Sequence, residues 1–126
     1  MTTTPLSSNL VKKPFVPVYC DWTGSSGTVY QFQLDAIGSI SYYAIPGVYI
    51  FSRDLGGGRH AAIYVGETDS LFRRLGSELR AHHALAAIRL RGATHINTLR
   101  ADGDRSYRLY VETDLRKGLN PPCNQQ

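Results

Sequence analysis

The hydrophobic pattern is clearest over Gly47-Val48-Tyr49-Ile50-Phe51, a β-branched and aromatic run that follows the breaker Pro46. Such a run predicts a strand. Asp54-Leu55-Gly56-Gly57-Gly58 reads as a flexible turn and Ala61-Ala62-Ile63-Tyr64-Val65 as the returning strand, so the two form a predicted β-hairpin. Asp69 is expected to cap a helix through its carboxylate. Beyond it Leu71, Phe72, Leu75, Leu79 and His82 recur on one helical face, with Arg73, Arg74, Glu78 and Arg80 largely outside that stripe. Residues 85–90 predict a second short helix ending before Gly92, and residues 94–99 a third strand. Asp102-Gly103-Asp104 is a turn with a cap, opening a helix over residues 105–117 in which Tyr107, Val111 and Leu115 stack at i, i+4, i+8. Gly118 is expected to end that helix, and Pro121-Pro122 forbid its continuation.

Upstream the pattern weakens. Residues 1–14 are polar and predict a disordered start. Residues 15–19 predict a short strand that Pro17 restricts to a sheet edge. Residues 21–27 read as a turn, because Gly24, Ser25, Ser26 and Gly27 cluster there. Residues 29–34 are β-rich without clean alternation and are read as a strand.

Composition narrows the class. At 126 residues, 42% hydrophobic and 19% charged, the chain suits one folded domain with a modest core. No run of about 18 apolar residues argues for a membrane span, and residues 1–17 lack the apolar region of a secretory signal. A cytoplasmic, membrane-free protein is expected. In that setting Cys20 and Cys123 are expected as free thiols. The histidines lack zinc spacing, and on a helix the adjacent His82 and His83 would point about 100° apart, so structural or surface roles are expected for the pair.

Charge changes the picture further. Residues 1–51 balance Lys12 and Lys13 against Asp21 and Asp35, whereas residues 52–126 set eleven arginines and Lys117 against eight acids. Arginine's planar fork matches phosphate oxygens, so a nucleic-acid partner is expected of the second half. Phosphodiester hydrolysis needs a positioned water, a proton acceptor, cations on the phosphate and stabilisation of the leaving oxygen. Tyr49 and Tyr64 sit on paired strands beside glycines, and a nearby guanidinium and cation would make a phenol a usable base. Taken singly, a strand tyrosine more often simply packs on the sheet, since aromatics favour strands. Arg74 can grip a phosphate with two parallel hydrogen bonds or pair with Glu78. Glu112 can ligate Mg²⁺ or pair with Arg108 and Arg116 at i−4 and i+4. Asn124 follows a double proline that holds the segment extended, so its amide can be fixed against the sheet.

Gly47-Val48-Tyr49, Tyr64-Val65-Gly66, Arg73-Arg74-Leu75, Glu112-Thr113-Asp114-Leu115 and Asn120-Pro121-Pro122-Cys123-Asn124 stand in one order. Together they resemble the GIY-YIG nuclease family, small stand-alone members in particular, over residues 45–126. The resemblance implies an α/β domain at residues 45–126, with a small antiparallel sheet of about three core strands flanked by helices, preceded by an N-terminal extension at residues 1–44. It implies a divalent-metal-dependent endonuclease acting on DNA, with Tyr49, Tyr64, Arg74, Glu112 and Asn124 as the active-site set. Glu112 would hold one Mg²⁺ or Mn²⁺. Tyr49 would be the base and Tyr64 its hydrogen-bonding partner, and Arg73, Arg74 and Arg80 would meet nucleic acid. Targeting would fall to loops, to residues 1–45, to a second copy or to a partner protein. Two positions depart from the family's pattern. Glu78 stands where histidine or tyrosine usually follows the arginine by four residues, which leaves His82 or His83 to substitute for that ring, and Glu67 stands where repair-type members carry lysine. These acids leave a second expectation: a catalytically weak or inactive nucleic-acid-binding or protein-interaction module on the same fold.

Overall fold

A computed structural model describes residues 16–124. The expectations for residues 1–15 therefore lie outside the described residues. Five strands form one antiparallel sheet in the order β1-β2-β5-β3-β4: β1 Val18–Thr23, β2 Val29–Ala36, β3 Gly47–Gly56, β4 Arg59–Thr68 and β5 His95–Arg100. A π-helical turn Arg73–Ser77, a 3₁₀ turn Leu79–Ala81 and helix α1 (Leu85–Leu90) lie between β4 and β5, followed by helix α2 (Arg105–Leu119) and a 3₁₀ turn Pro122–Asn124.

The sheet is larger than the three core strands expected. β1 and β2, drawn from the segment before residue 45, pair with each other, and β2 continues onto β5. β1 also runs through Asp21 and Trp22, where a turn was expected. The reason is non-local: Trp22 is buried and its indole N–H donates to Asn97 Oδ1 at 3.0 Å, while Asn97 Nδ2 donates to Ile50 O and Ser52 Oγ. That network joins β1, β5 and β3 through groups that are costly to bury unpaired.

β3 is the central apolar strand, and its lack of alternation follows from coverage of both faces. Val48 and Ile50 pack with Trp22, Tyr30 and Phe32 against Val111 and Leu115 of α2. Tyr49 and Phe51 face the opposite layer, with Tyr64, Leu71, Leu75, Ile88 and Ile96. The hairpin turn holds Gly56, Gly57 and Gly58 at φ of 84°, 63° and 77°, a region that strongly favours glycine.

Three local readings change. Ser70 Oγ, rather than Asp69, accepts from the Arg73 N–H at 3.2 Å, because Asp69 is drawn into an ion pair with Arg73. The expected long helix from Asp69 becomes a π turn and a 3₁₀ turn. In α2, Val111 and Leu115 are fully buried while Tyr107 is half exposed. Gly118 does not end the helix, which continues to Leu119 and closes at Asn120 with φ 50°. A Cβ on Gly118 would lie 2.7 Å from Gly24 C and Ser25 N, so glycine there permits close contact with the β1–β2 turn.

That turn is held on α2 by Asp114. Its carboxylate accepts from Ser26 N at 2.8 Å, Ser26 Oγ at 2.7 Å and Tyr30 Oη at 2.8 Å. The Ser26 hydroxyl leads the effects holding Asp114 below its ordinary 3.8, outweighing desolvation, while burial and then Asp114 push Tyr30 up to about 12. A depressed folded pKa stabilises above the unfolded value, and that stability is lost as pH falls through the folded one. Denaturant melts from pH 7 into the acid range are expected to show this loss in the parent. In Asp114→Asn it should be shallower, from a lower starting stability; parallel curves would contradict the assignment.

Candidate active site

The two motif glycines explain how the site is built. Tyr49 on β3 is the direct partner of Gly66 on β4. Its ring crosses above that glycine, where a Cβ would lie 2.4 Å from the phenol's Cζ and Oη. Gly47 has the same logic, since its Cβ would meet Leu99 O at 2.7 Å and Leu71 Cδ1 at 2.8 Å. Gly66→Ala should therefore displace the Tyr49 ring and cost about 1–3 kcal/mol, the usual penalty for overpacking. Gly76→Ala, whose Cβ meets nothing within 4 Å, serves as the near-neutral control. Equal denaturation midpoints for the two variants would rule this out.

Tyr64 pairs with Phe51 across the hairpin and so shares the Tyr49 face, with ring centroids 6.2 Å apart. The π turn brings Arg74 to the same place: its Nε donates to Tyr49 Oη at 3.5 Å. The expected Arg74–Glu78 pair does not form. Glu78 instead lies 3.4 Å from Arg73 Nε, because the widened turn places Arg73 beside both Asp69 and Glu78. Arg73 is thus committed to carboxylates and Arg74 to the phenols. Arg80 is exposed on the 3₁₀ turn.

Glu112, half-buried on α2, lines a cavity of about 160 Å³ with Tyr64, His83, Arg116, Cys123 and Asn124. Burial pushes its carboxyl above the ordinary range, Arg116 opposes this, and Glu67 adds to it. The pairing of Glu112 with Arg108 does not form, since Arg108 is buried and donates to Glu67 at 2.9 Å, with Arg105 Nε 3.6 Å from the same carboxylate. Both acids that depart from the family's pattern are therefore offset by arginine. Asn124 is fixed against the sheet: its Oδ1 accepts from Val65 N–H at 2.8 Å and its Nδ2 donates to Val65 O at 3.0 Å, covering the β4 edge beside Tyr64. Cys20 and Cys123 are both free thiols.

The resemblance leaves His82 or His83 to substitute for the missing ring, and the structure brings both rings to the phenols. His82 follows the 3₁₀ turn in an extended conformation rather than continuing a helix, so the two rings stack at 5.0 Å and 12° instead of diverging. His82 is buried, and its Nε2 lies 2.8 Å from Tyr49 Oη. His83 Nε2 lies 3.5 Å from Tyr64 Oη. Burial, Arg74 and His83 lower the His82 pKa to about 4, so the ring is neutral at pH 7. Its tautomer follows from the network: the Ala84 N–H donates to Nδ1 at 3.1 Å, which leaves the proton on Nε2. His82 therefore donates to the Tyr49 oxygen, as Arg74 does. The sequence signal was the match of two histidines to two tyrosines, hidden by the assumption of a helix through residue 82.

The two phenols occupy different settings. Tyr49 is 1% exposed, enclosed by His82 and Arg74, whereas Tyr64 lines the Glu112 cavity. Burial raises both phenols, with Arg74 pulling down on each and Glu112 pushing up.

No protein-family model and no curated protein matches the chain. Solved structures do. The GIY-YIG N-terminal endonuclease domain of UvrC from Thermotoga maritima, bound to its catalytic magnesium, aligns with a TM-score of 0.53 and 28% identity over 66% of this chain and 86% of that one. A point mutant of the same domain bound to its catalytic divalent cation aligns at 0.52 and 28%, over 65% and 84%. A GVY strand and a YVG strand joined as a hairpin, glycines dictated by a crossing phenol and a packed leucine, and a backbone shared with these domains place the chain in the GIY-YIG fold.

Proposed function

We propose that this chain is a divalent-metal-dependent endonuclease that hydrolyses phosphodiester bonds in DNA. The observation that carries this reading is the gathering of Tyr64, Glu112 and Asn124 around one cavity, with Arg74 beside the paired phenol. Glu112 suits a cation because it is a desolvated carboxylate with a raised pKa and a rim open to solvent. Among the described residues no three His, Cys, Asp or Glu side chains gather as a cage. That fits Mg²⁺, which is commonly held by one or two carboxylates with water and substrate phosphate completing the shell. When bound, such an ion supplies Lewis-acid stabilisation of the scissile phosphate and its leaving oxygen.

The chain's own residues supply the rest. Their geometry favours exchanging the expected roles of the two phenols. Tyr64, in the phenolate form that a bound cation and Arg74 would favour, orients the attacking water and accepts its proton. Tyr49, receiving hydrogen bonds from His82 and Arg74, fixes the guanidinium so that its terminal nitrogens remain for phosphate. Arg105 and Arg108 cancel Glu67 at the substrate face. A neighbouring concavity lined by Arg116, Lys117 and Asn120 extends the basic track along the C-terminal end of α2. Asn124 holds β4 and with it Tyr64.

Purified protein is expected to nick plasmid or branched DNA with Mg²⁺ or Mn²⁺ and to stop on chelation. The second reading, nucleic-acid binding without cleavage, draws on the enclosure of Tyr49. It would prevail if both metals and several DNA structures gave salt-sensitive binding and no cutting.

A further inference from the structure

A concavity of about 500 Å³ lies away from the Glu112 cavity and has no part in the proposed cleavage. Its position is set by register. Tyr19, Gln33, Thr98 and Tyr49 are successive cross-strand partners on β1, β2, β5 and β3, so their side chains share one face of the sheet. Gln31 and Gln33 alternate on β2 to form an amide floor, and Tyr19, Tyr42 and Tyr43 supply aromatic walls. Arg100 stands at the rim; its Nε is committed to Asp102, which leaves the terminal nitrogens. None of the lining residues is acidic. Tyr43 is 83% exposed, and the Tyr42 hydroxyl is buried with no hydrogen-bond partner among the described residues.

This arrangement selects its occupant. Flat aromatic walls over an amide floor suit a planar heterocycle with hydrogen-bonding edges, and the terminal nitrogens of Arg100, oriented by the Asp102 carboxylate on its Nε, suit an attached phosphate. The volume lies within the roughly 300–1,000 Å³ of small-molecule sites. Gln33 donates one N–H of its amide to Asp35 at 3.0 Å, which orients the amide and leaves its oxygen and second N–H for a ligand. An amide offering both an acceptor and a donor matches the N6 and N7 edge of adenine. The wall is also tied to the catalytic layer: the Leu71 and Phe72 N–H groups donate to Ile45 O and Tyr43 O at 2.9 and 3.0 Å, just ahead of Arg74.

We propose that this cavity receives one unpaired nucleobase of the substrate strand, stacked on Tyr43 and read at its edge by Gln31 and Gln33. The proposal rests on the endonuclease reading and assigns it a feature: preference for DNA with a single-stranded adenine near the cut. The test is binding of short fluorescent single strands in Ca²⁺, comparing oligo-dA, oligo-dT and an abasic strand of equal length. The parent should prefer oligo-dA and bind the abasic strand most weakly. Tyr43→Ala, at a position too exposed to disturb folding, should weaken oligo-dA binding about tenfold, in line with the loss of one stacked base. Gln33→Leu should remove the preference for dA over dT. Equal affinity for abasic and intact strands, or an unchanged Tyr43→Ala, would overturn the proposal even where plasmid cutting is intact. Cavity resonances that respond to a peptide of residues 1–15 but not to oligo-dA would overturn it too. Base-selective binding with no cutting under any condition would instead remove the endonuclease reading and leave the cavity assigned.

Discussion

Glu112→Gln is expected to reduce metal-dependent DNA cleavage by at least about 10³-fold, the scale on which a single strong electrostatic contribution to the transition state is lost. Glutamine keeps the shape and length of the side chain and removes its charge. The core contacts of α2 run through Val111 and Leu115, so the fold should be retained. Because burial already raises the Glu112 carboxyl, relieving that desolvation should leave the variant as stable as the parent or more so. Two measurements separate this from a structural defect. The parent's melting temperature should rise with Mg²⁺ or Mn²⁺ through mass action, and that of the variant should not. Cleavage within tenfold of the parent would end the assignment of Glu112.

Tyr64→Phe carries the second large effect, a loss of about 10²–10⁴ in single-turnover rate, as for removal of a positioned proton acceptor. Its ring would keep the contact with His82, 5.0 Å between centroids, so stability should change little. Tyr49→Phe should behave differently. It strands the buried His82 Nε2–H, costing about 1–3 kcal/mol of stability, and releases Arg74, so the fold and phosphate affinity suffer together. If Tyr49→Phe proved the more severe in rate with no loss of stability, the exchange of roles drawn here would be reversed. The pH profile adds an independent check. With a pKa of about 4, His82 is neutral above roughly pH 5 and contributes no step near 6.5. Rates between pH 5.5 and 9 should therefore climb without an inflection from His82, since both phenols are raised by burial. A bend near 6.5 that vanished in His82→Gln would show that the ring titrates and that the tautomer assignment is wrong.

The hairpin, α1 and the Asp104 cap of α2 were readable along the chain because each rests on local chemistry. β-Branched and aromatic residues favour β3, three glycines close its turn, and the Asp104 carboxylate accepts from Tyr107 N–H three residues on. Tyr49, Tyr64, Glu112 and Asn124 were likewise visible as an ordered set. β1 and β2 were weak as separate runs because their stability comes from pairing with each other and with β5, about sixty residues away.

What the sequence by itself determined is the set of chemical groups, their order and the hairpin that carries the tyrosines. What only the tertiary structure decided is which of those groups meet. The switch from a helix to a π turn sets Arg74 against Tyr49 and Arg73 between Asp69 and Glu78, and the extended residue after the 3₁₀ turn brings His82 onto Tyr49. Glu67 finds Arg108 forty-one residues later. Local propensity sets the conformation of a few neighbouring residues, whereas such contacts depend on register and on the direction of one side chain. A single-residue change of phase redirects these, and nothing in the spacing of the sequence records it.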